Sequence, residues 1–198
     1  MDNFIGFIGE NFSNCVWLAV ILVAMCPTLE SKISIPLAMN TAIWGNNVLQ
    51  PLTAFLLSFL GSIIPCYLII LIIRKLKQKT TGFVINKFLQ KYRFKGQAIQ
   101  KQTSEFKKYV ALTALVAVPL PLTGVWTGSL IAGLSNLNIH YAFISITIGA
   151  LISSLAITLL CTVFQNSVSY IFIISLIILI IFMLGDLLFS MFKIKRHN

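Results

Sequence analysis

Carboxylates are scarce in this chain: there are five Asp and Glu against 15 Lys and Arg in 198 residues, and only 10% of residues carry charge. A water-soluble fold needs a charged shell. With 58% hydrophobic residues and so little charge, this chain could not hide its apolar side chains from water, which places it in the integral-membrane class. Metal and disulfide patterns are missing too. Cys15, Cys26, Cys66 and Cys161 all lie in apolar runs and form no CxxC pair, and His140 and His197 have no metal-ligand company. No Walker A sequence is present, so nucleotide hydrolysis within this chain is not expected, nor is enzymatic activity or a cofactor. The first 30 residues carry Asp2 and Glu10 but no basic residue, so they lack a signal peptide's positive n-region and no cleavage is expected.

What charge there is stands mostly in one place. Of the 15 basic residues, 11 fall between Arg74 and Lys108, within a formal net charge of +10. Membrane-grade apolar runs flank this segment on both sides and aromatic interleaving is sparse. It therefore reads as a cytoplasmic loop held near anionic lipid, and nucleic acid is not expected as a partner. Within it, residues Thr81 to Gly96 place Ile85, Phe88, Leu89 and Tyr92 at helical spacing with Lys87, Lys91 and Lys95 interleaved. That pattern predicts an amphipathic helix in the headgroup plane, with Lys87, Lys91, Arg93 and Lys95 as lipid contacts.

Three runs have the roughly 20 apolar residues that one crossing of the hydrocarbon requires. They are Val48 to Ile73, Tyr141 to Phe164 and Val168 to Phe192, and the last two are separated only by Gln165, Asn166 and Ser167. Pro51 is cheap in the opening turn of the first, whereas Pro65 is expected to kink its interior near Gly61. Two further apolar stretches, Phe12 to Gly45 and Tyr109 to Leu134, are interrupted near their middles by prolines and small or polar residues. Each is either a broken span or a hairpin that enters and leaves on one side.

Parity bears on the choice. The positive-inside rule puts both residues 74–108 and the basic tail Lys193 to Asn198 in the cytoplasm, so the chain between them crosses an even number of times. The last two spans supply two crossings. Tyr109 to Leu134 is too short to cross twice as helix, which predicts a re-entrant hairpin turning at Pro119 to Gly124. By analogy, Phe12 to Gly45 is a hairpin entering from the other face. A repeated T-x-[IV]-W pattern, at Thr41 to Trp44 and Thr123 to Trp126, adds faint support. The expected fold is thus an all-α integral membrane protein: an inverted repeat of re-entrant hairpin plus transmembrane helix, with an additional C-terminal transmembrane helix, in a single membrane domain.

Chemistry concentrates at the breaks. Glu30 is the only acidic residue between Pro27 and Pro36, and a carboxylate at membrane depth costs about 2.5 to 3.5 kcal/mol even on lenient insertion scales. It reads as an ion or proton site if buried, with Lys32 as its partner, or as an exposed loop if both are wet. Pro119, Pro121, Thr123 and Gly124 free backbone groups around the second break, suited to holding a polar group or simply to turning the chain. Trp44 and Trp126 read as interface anchors, and Gly128, Ala132 and Gly133 as close-packing positions. Asp186, within the last span, is a second candidate for ion coupling or a hydrated residue beside Lys193.

These breaks carry a resemblance. "ESKISIPLAM", Glu30 to Met39, is similar to the E-x-[RK]-x-x-I-P signature of the small multidrug export protein family, and "PLPLTGVW", Pro119 to Trp126, resembles that family's P-x-P-x-T-G-x-W segment. The layout is also similar to that of DedA-like membrane proteins, with two re-entrant hairpins and an acidic residue in a break. Several of those are linked to ion-driven movement of lipid phosphates. The arginine they often carry in the second hairpin is absent between Pro119 and Gly133, so a headgroup's positive partner would be Lys32 or the basic loop.

The resemblance implies a small ion-coupled secondary transporter or exporter of amphipathic small molecules, coupled to protons or sodium. Its expected path comprises Glu30, Lys32, Pro36, Pro119, Pro121, Thr123, Gly124 and Trp126. Two alternatives stand: a lipid or polyprenyl-phosphate flippase of DedA-like type, and a non-catalytic membrane-organising protein acting through its basic helix. The expected setting is the bacterial inner membrane, multi-pass, with basic loop and C-terminus cytoplasmic, membrane lipids as partners and a homodimer as the assembly.

Overall fold

The computed structural model describes residues 15–79, 105–120, 123–135 and 137–195, and among these it is helical, with no strand. Lys87, Lys91, Arg93 and Lys95 lie outside the described residues, as does Pro121. The first helix, α1 (Val16–Met25), stops where Pro27 forces the preceding residue out of helical geometry: Cys26 is extended at φ −66°, ψ 138°. One turn later α2 (Glu30–Ala38) begins, with Pro36 in its interior. Asn40 then caps the short α3 (Thr41–Trp44), its side chain accepting the Ala42 N–H at 3.0 Å.

The long α4 (Pro51–Lys79) opens on proline, which suits a first turn, and continues as helix through Pro65. In the other half, α5 (Glu105–Ala117) ends two residues before Pro119 and α6 (Val125–Leu134) starts after Gly124. Asn138 caps α7 (Ile139–Val163) by accepting from the His140 N–H at 3.0 Å. A 3-10 turn at Gln165–Ser167 leads into α8 (Val168–Lys195).

Helix length separates two kinds of element. At 1.5 Å per residue, α1, α2, α5 and α6 are roughly 14 to 20 Å long, about half of a ~30 Å hydrocarbon layer. Among the described residues, Pro51–Leu76 and Ile139–Val163 are long and apolar enough to cross it, with mean hydropathies of 2.6 and 2.2. Their outward side chains are those that only hydrocarbon would solvate. On α4, Leu52, Leu56, Leu60, Ile64, Leu68 and Ile72 are all exposed, at steps of four, and on α7 so are Ile144, Ile148, Ile152 and Leu159.

The two long helices pack on each other and form the centre, and each receives a short one at a glycine. A Cβ on Gly61 of α4 would lie 3.0 Å from the Ile21 carbonyl of α1, and one on Gly149 of α7 would lie 2.7 Å from the Thr113 carbonyl of α5. Helix α2 packs on both α4 and α7, and so does α6. Two apolar clusters result. One joins Val20, Ile35, Leu37, Ala54 and Ile157, and the other joins Cys66, Ile70, Leu112, Val116, Ile131, Ile146 and Ala150.

The two T-x-[IV]-W matches occupy different places. Trp44 ends the short helix that follows α2, whereas Trp126 stands in the first turn of α6. Trp44 is also 5% exposed and donates its indole N–H to the Leu37 carbonyl at 2.8 Å, so it serves the core rather than standing at a headgroup as a belt anchor would.

Candidate functional site

Backbone strain positions the key carboxylate. In the turn between α1 and α2, Thr28 has φ 75° and Glu30 φ 48°, left-handed values that are rare for side chains other than Gly and Asn, above all for a β-branched one. The turn is closed by the Glu30 N–H on the Cys26 carbonyl at 3.3 Å. This geometry drives Glu30 inward, where it is 5% exposed.

There it meets the second break. Glu30 Oε2 accepts from the Val125 N–H at 3.2 Å, and Oε1 accepts from the Trp126 N–H at 3.0 Å. These are first-turn amides of α6, which the helix itself leaves unpaired, and they carry the positive end of its dipole. Gly124, the N-cap, has no side chain to offer them. A carboxylate more than ninety residues upstream therefore caps α6. The absence of a side chain is itself required, because a Cβ on Gly124 would overlap the Glu30 carboxylate.

Lys32 grips the same break by its opposite polarity. Its Nζ donates to the Leu120 carbonyl at 2.7 Å and to the Thr123 carbonyl, and lies 3.9 Å from Glu30 Oε2. Thr123 tightens the turn internally, its hydroxyl donating to the Leu120 carbonyl at 2.8 Å and lying 3.1 Å from that of Val118. Glu30 and Lys32 are thus a buried pair and not an exposed loop, with side chains 6% and 10% exposed. Buried ions persist only where the remaining lone pairs and protons find partners, and here both ions find them in the backbone of the second break.

Beside this junction is a cleft of about 290 Å³. Thr28, Lys32 and Pro36 line it from the first break, Pro119 and Leu120 from the second, and apolar residues of α7 and α8, among them Ile157, Ile171 and Ile178, form the remaining wall. One cation and two hydroxyls, Thr28 and Ser175, are its polar features.

Of the residues singled out from the sequence, Glu30, Lys32, Thr123, Gly124 and Trp126 converge on the junction, and Pro36 and Pro119 face the cleft with Lys32. Asp186 falls within α8, and its side chain lies outside the described residues. Not foreseen were the carbonyl of Leu120, the amide of Val125, and the Ser129 hydroxyl, which lies 2.6 Å from the Val125 carbonyl and 3.1 Å from Cys66 Sγ just behind the capped turn. Backbone groups leave no trace in a sequence. Ser129, four residues after Val125, could have been found only by its i to i−4 spacing.

The matching family model is described as "putative small multi-drug export protein" and covers residues 30–156, from the capping carboxylate through most of α7. No curated protein and no solved structure matches the chain. With well over half its length matched, from Glu30 through α4 and the second break to most of α7, this chain belongs to the small multi-drug export protein family.

Proposed function

We propose that the protein is a small ion-coupled secondary transporter that exports amphipathic small molecules across the bacterial inner membrane, with its basic loop and C-terminus in the cytoplasm. In this reading α1–α2 and α5–α6 are re-entrant hairpins entering from opposite faces, each followed by its spanning helix. Their half-depth lengths support it, as does the packing of each hairpin's first arm on the span that follows. The observation that carries the proposal is the meeting of the two breaks through Glu30 and Lys32, against an apolar cleft.

The chemistry follows from charge. A carboxylate accepting two N–H bonds is a charge-assisted cap, and such bonds are roughly twice as strong as neutral ones. Proton binding to Glu30 would weaken its hold on α6 and leave the Lys32 charge uncompensated. The junction between the tips would then loosen. An ion gradient could in this way bias which face the cleft communicates with. The apolar wall suits the hydrophobic part of a substrate. Lys32 spends its hydrogen bonds on two carbonyls and stands beside Glu30, which favours this reading over the lipid-phosphate alternative, where that cation would receive a headgroup.

The test is transport in proteoliposomes under an imposed gradient, using fluorescent amphipathic cations as substrate. Glu30→Gln is expected to keep the cleft but lose gradient dependence, and full retained coupling would remove Glu30 from the mechanism. Accessibility of cysteines placed at Tyr109 and Leu134 should report one common face, and opposite faces would end the hairpin reading.

A further inference from the structure

The two apolar clusters do not touch along the central helices. On α4, the buried residues between Ala54 of one cluster and Cys66 of the other are Ser58, Gly61 and Ser62. On α7, those between Ala150 and Ile157 are Ser153 and Ser154. On α2, Ser31, Ile33 and Ser34 are buried between Glu30 and the first cluster residue, Ile35. Between the two clusters on α4 and α7 the buried side chains are chiefly hydroxyls, and α2, which packs on both helices, buries Ser31 and Ser34 as well.

Several buried or half-buried hydroxyls satisfy themselves on their own helix. Ser62 is 2.7 Å from the Ser58 carbonyl, Ser145 2.8 Å from that of Tyr141 and Thr158 2.8 Å from that of Ser154. Thr113 lies 3.1 Å from the Ser145 carbonyl of α7, and the Thr147 hydroxyl on α7, outside the layer, has no partner among the described residues. Ser34, Ser58, Ser153 and Ser154 behave differently. All four are at most 2% exposed, and none of their hydroxyls has a hydrogen-bond partner. Four orphaned hydroxyls on three neighbouring helices, with Ser34 one turn from Glu30, are not what a dry apolar interior tolerates. Buried polar groups of this kind are ordinarily satisfied by internal water that makes two to four hydrogen bonds.

We infer that this serine layer binds a small cluster of internal waters and relays protons within the bundle to and from Glu30. The titratable groups that bear on Glu30 there are Lys32 on its own helix and the Cys66 thiol on α4; α6 brings backbone amides, and the buried polar residues of α7 are serines. Neutral hydroxyls and water carry a proton without introducing a second fixed charge that would hold it. The inference rests on the transport reading for the use made of the proton, but the layer is tested without substrate.

The experiment is infrared spectroscopy of the full-length protein in nanodiscs at acidic pH, following exchange of the protonated Glu30 carboxyl from water into heavy water. Loss of the band in Glu30→Gln assigns it. In the unsubstituted protein, exchange is expected within the mixing time. In Ser34→Ala/Ser58→Ala/Ser154→Ala it slows by roughly tenfold or more, because the enlarged apolar space stays dry. Ser154→Ala alone, the smaller change, is the second variant should the triple one unfold, and it slows exchange in the same direction.

An unchanged rate in the folded alanine variants overturns the relay, as does slow exchange in the unsubstituted protein or absence of the band wherever the protein stays folded. An unfolding temperature that rises in sodium chloride but not in choline chloride also overturns it, since the hydroxyls would then be ligands of a cation. Fast, serine-dependent exchange combined with full gradient coupling in Glu30→Gln would keep the layer and discard the transport role, so the two failures are distinguishable.

Discussion

The two breaks differ in what they contribute. The first brings side chains, a carboxylate and an ammonium held by a turn with left-handed backbone at Thr28 and Glu30. The second brings backbone, two amides and two carbonyls presented by a turn whose N-cap glycine carries no side chain. Neither is complete alone. The amides at the start of α6 would be unpaired in an apolar interior without Glu30, and the Glu30 carboxylate would lose two hydrogen-bond donors without them. What this division teaches is that the charges in one half of a small membrane protein can be the capping groups of the other half.

The division can be broken from either side, and the effects should differ in size. Glu30→Ala removes the cap and strands the Lys32 ammonium, so the largest loss is expected there, about 3 to 5 kcal/mol, read as a lower unfolding temperature in detergent. Gly124→Ala attacks the same contact from the backbone side. Its added methyl displaces the carboxylate, at about 1 to 3 kcal/mol, and should disturb coupled transport along with stability. If Gly124→Ala were neutral, the close approach of the two breaks would be wrong. Thr123→Val keeps the shape of the second turn but removes the hydroxyl that ties it to Leu120. About 1 kcal/mol is expected, with protease sensitivity within residues 118–124 as the local readout. A loss as large as that of Glu30→Ala would mean that the turn, and not the cap, organises the junction.

Much of the first break was legible in advance, and the reason is energetic. A lone glutamate between two prolines in an apolar run is conspicuous because its desolvation is costly, and Lys32 is the cation beside it in the chain, a partner once both are buried. The helical class, and long apolar segments at α4 and α7, were equally plain from composition and run length. The second break was only half legible. Pro119 and Gly124 announce a turn, but not that its amides face a carboxylate far away in the chain, since peptide groups are the same at every position. The T-x-[IV]-W match misled for a related reason: short similarity in apolar sequence records composition, and Trp44 and Trp126 belong to different elements. The serine layer escaped notice because serine is ordinary in membrane helices. Only the packing separates hydroxyls that bond their own helix from those that do not.

The exposed leucines and isoleucines on α4 recur at every fourth residue from Leu52 to Ile72. An α-helix turns about 400° in four residues, so this line winds by roughly 200° between its ends. Hydrocarbon therefore wets nearly opposite flanks of the same helix at its two ends, where first the α1–α2 pair and then α6 cover the complementary side. A scan that assigned α4 one fixed lipid-facing side would be right at one leaflet and wrong at the other.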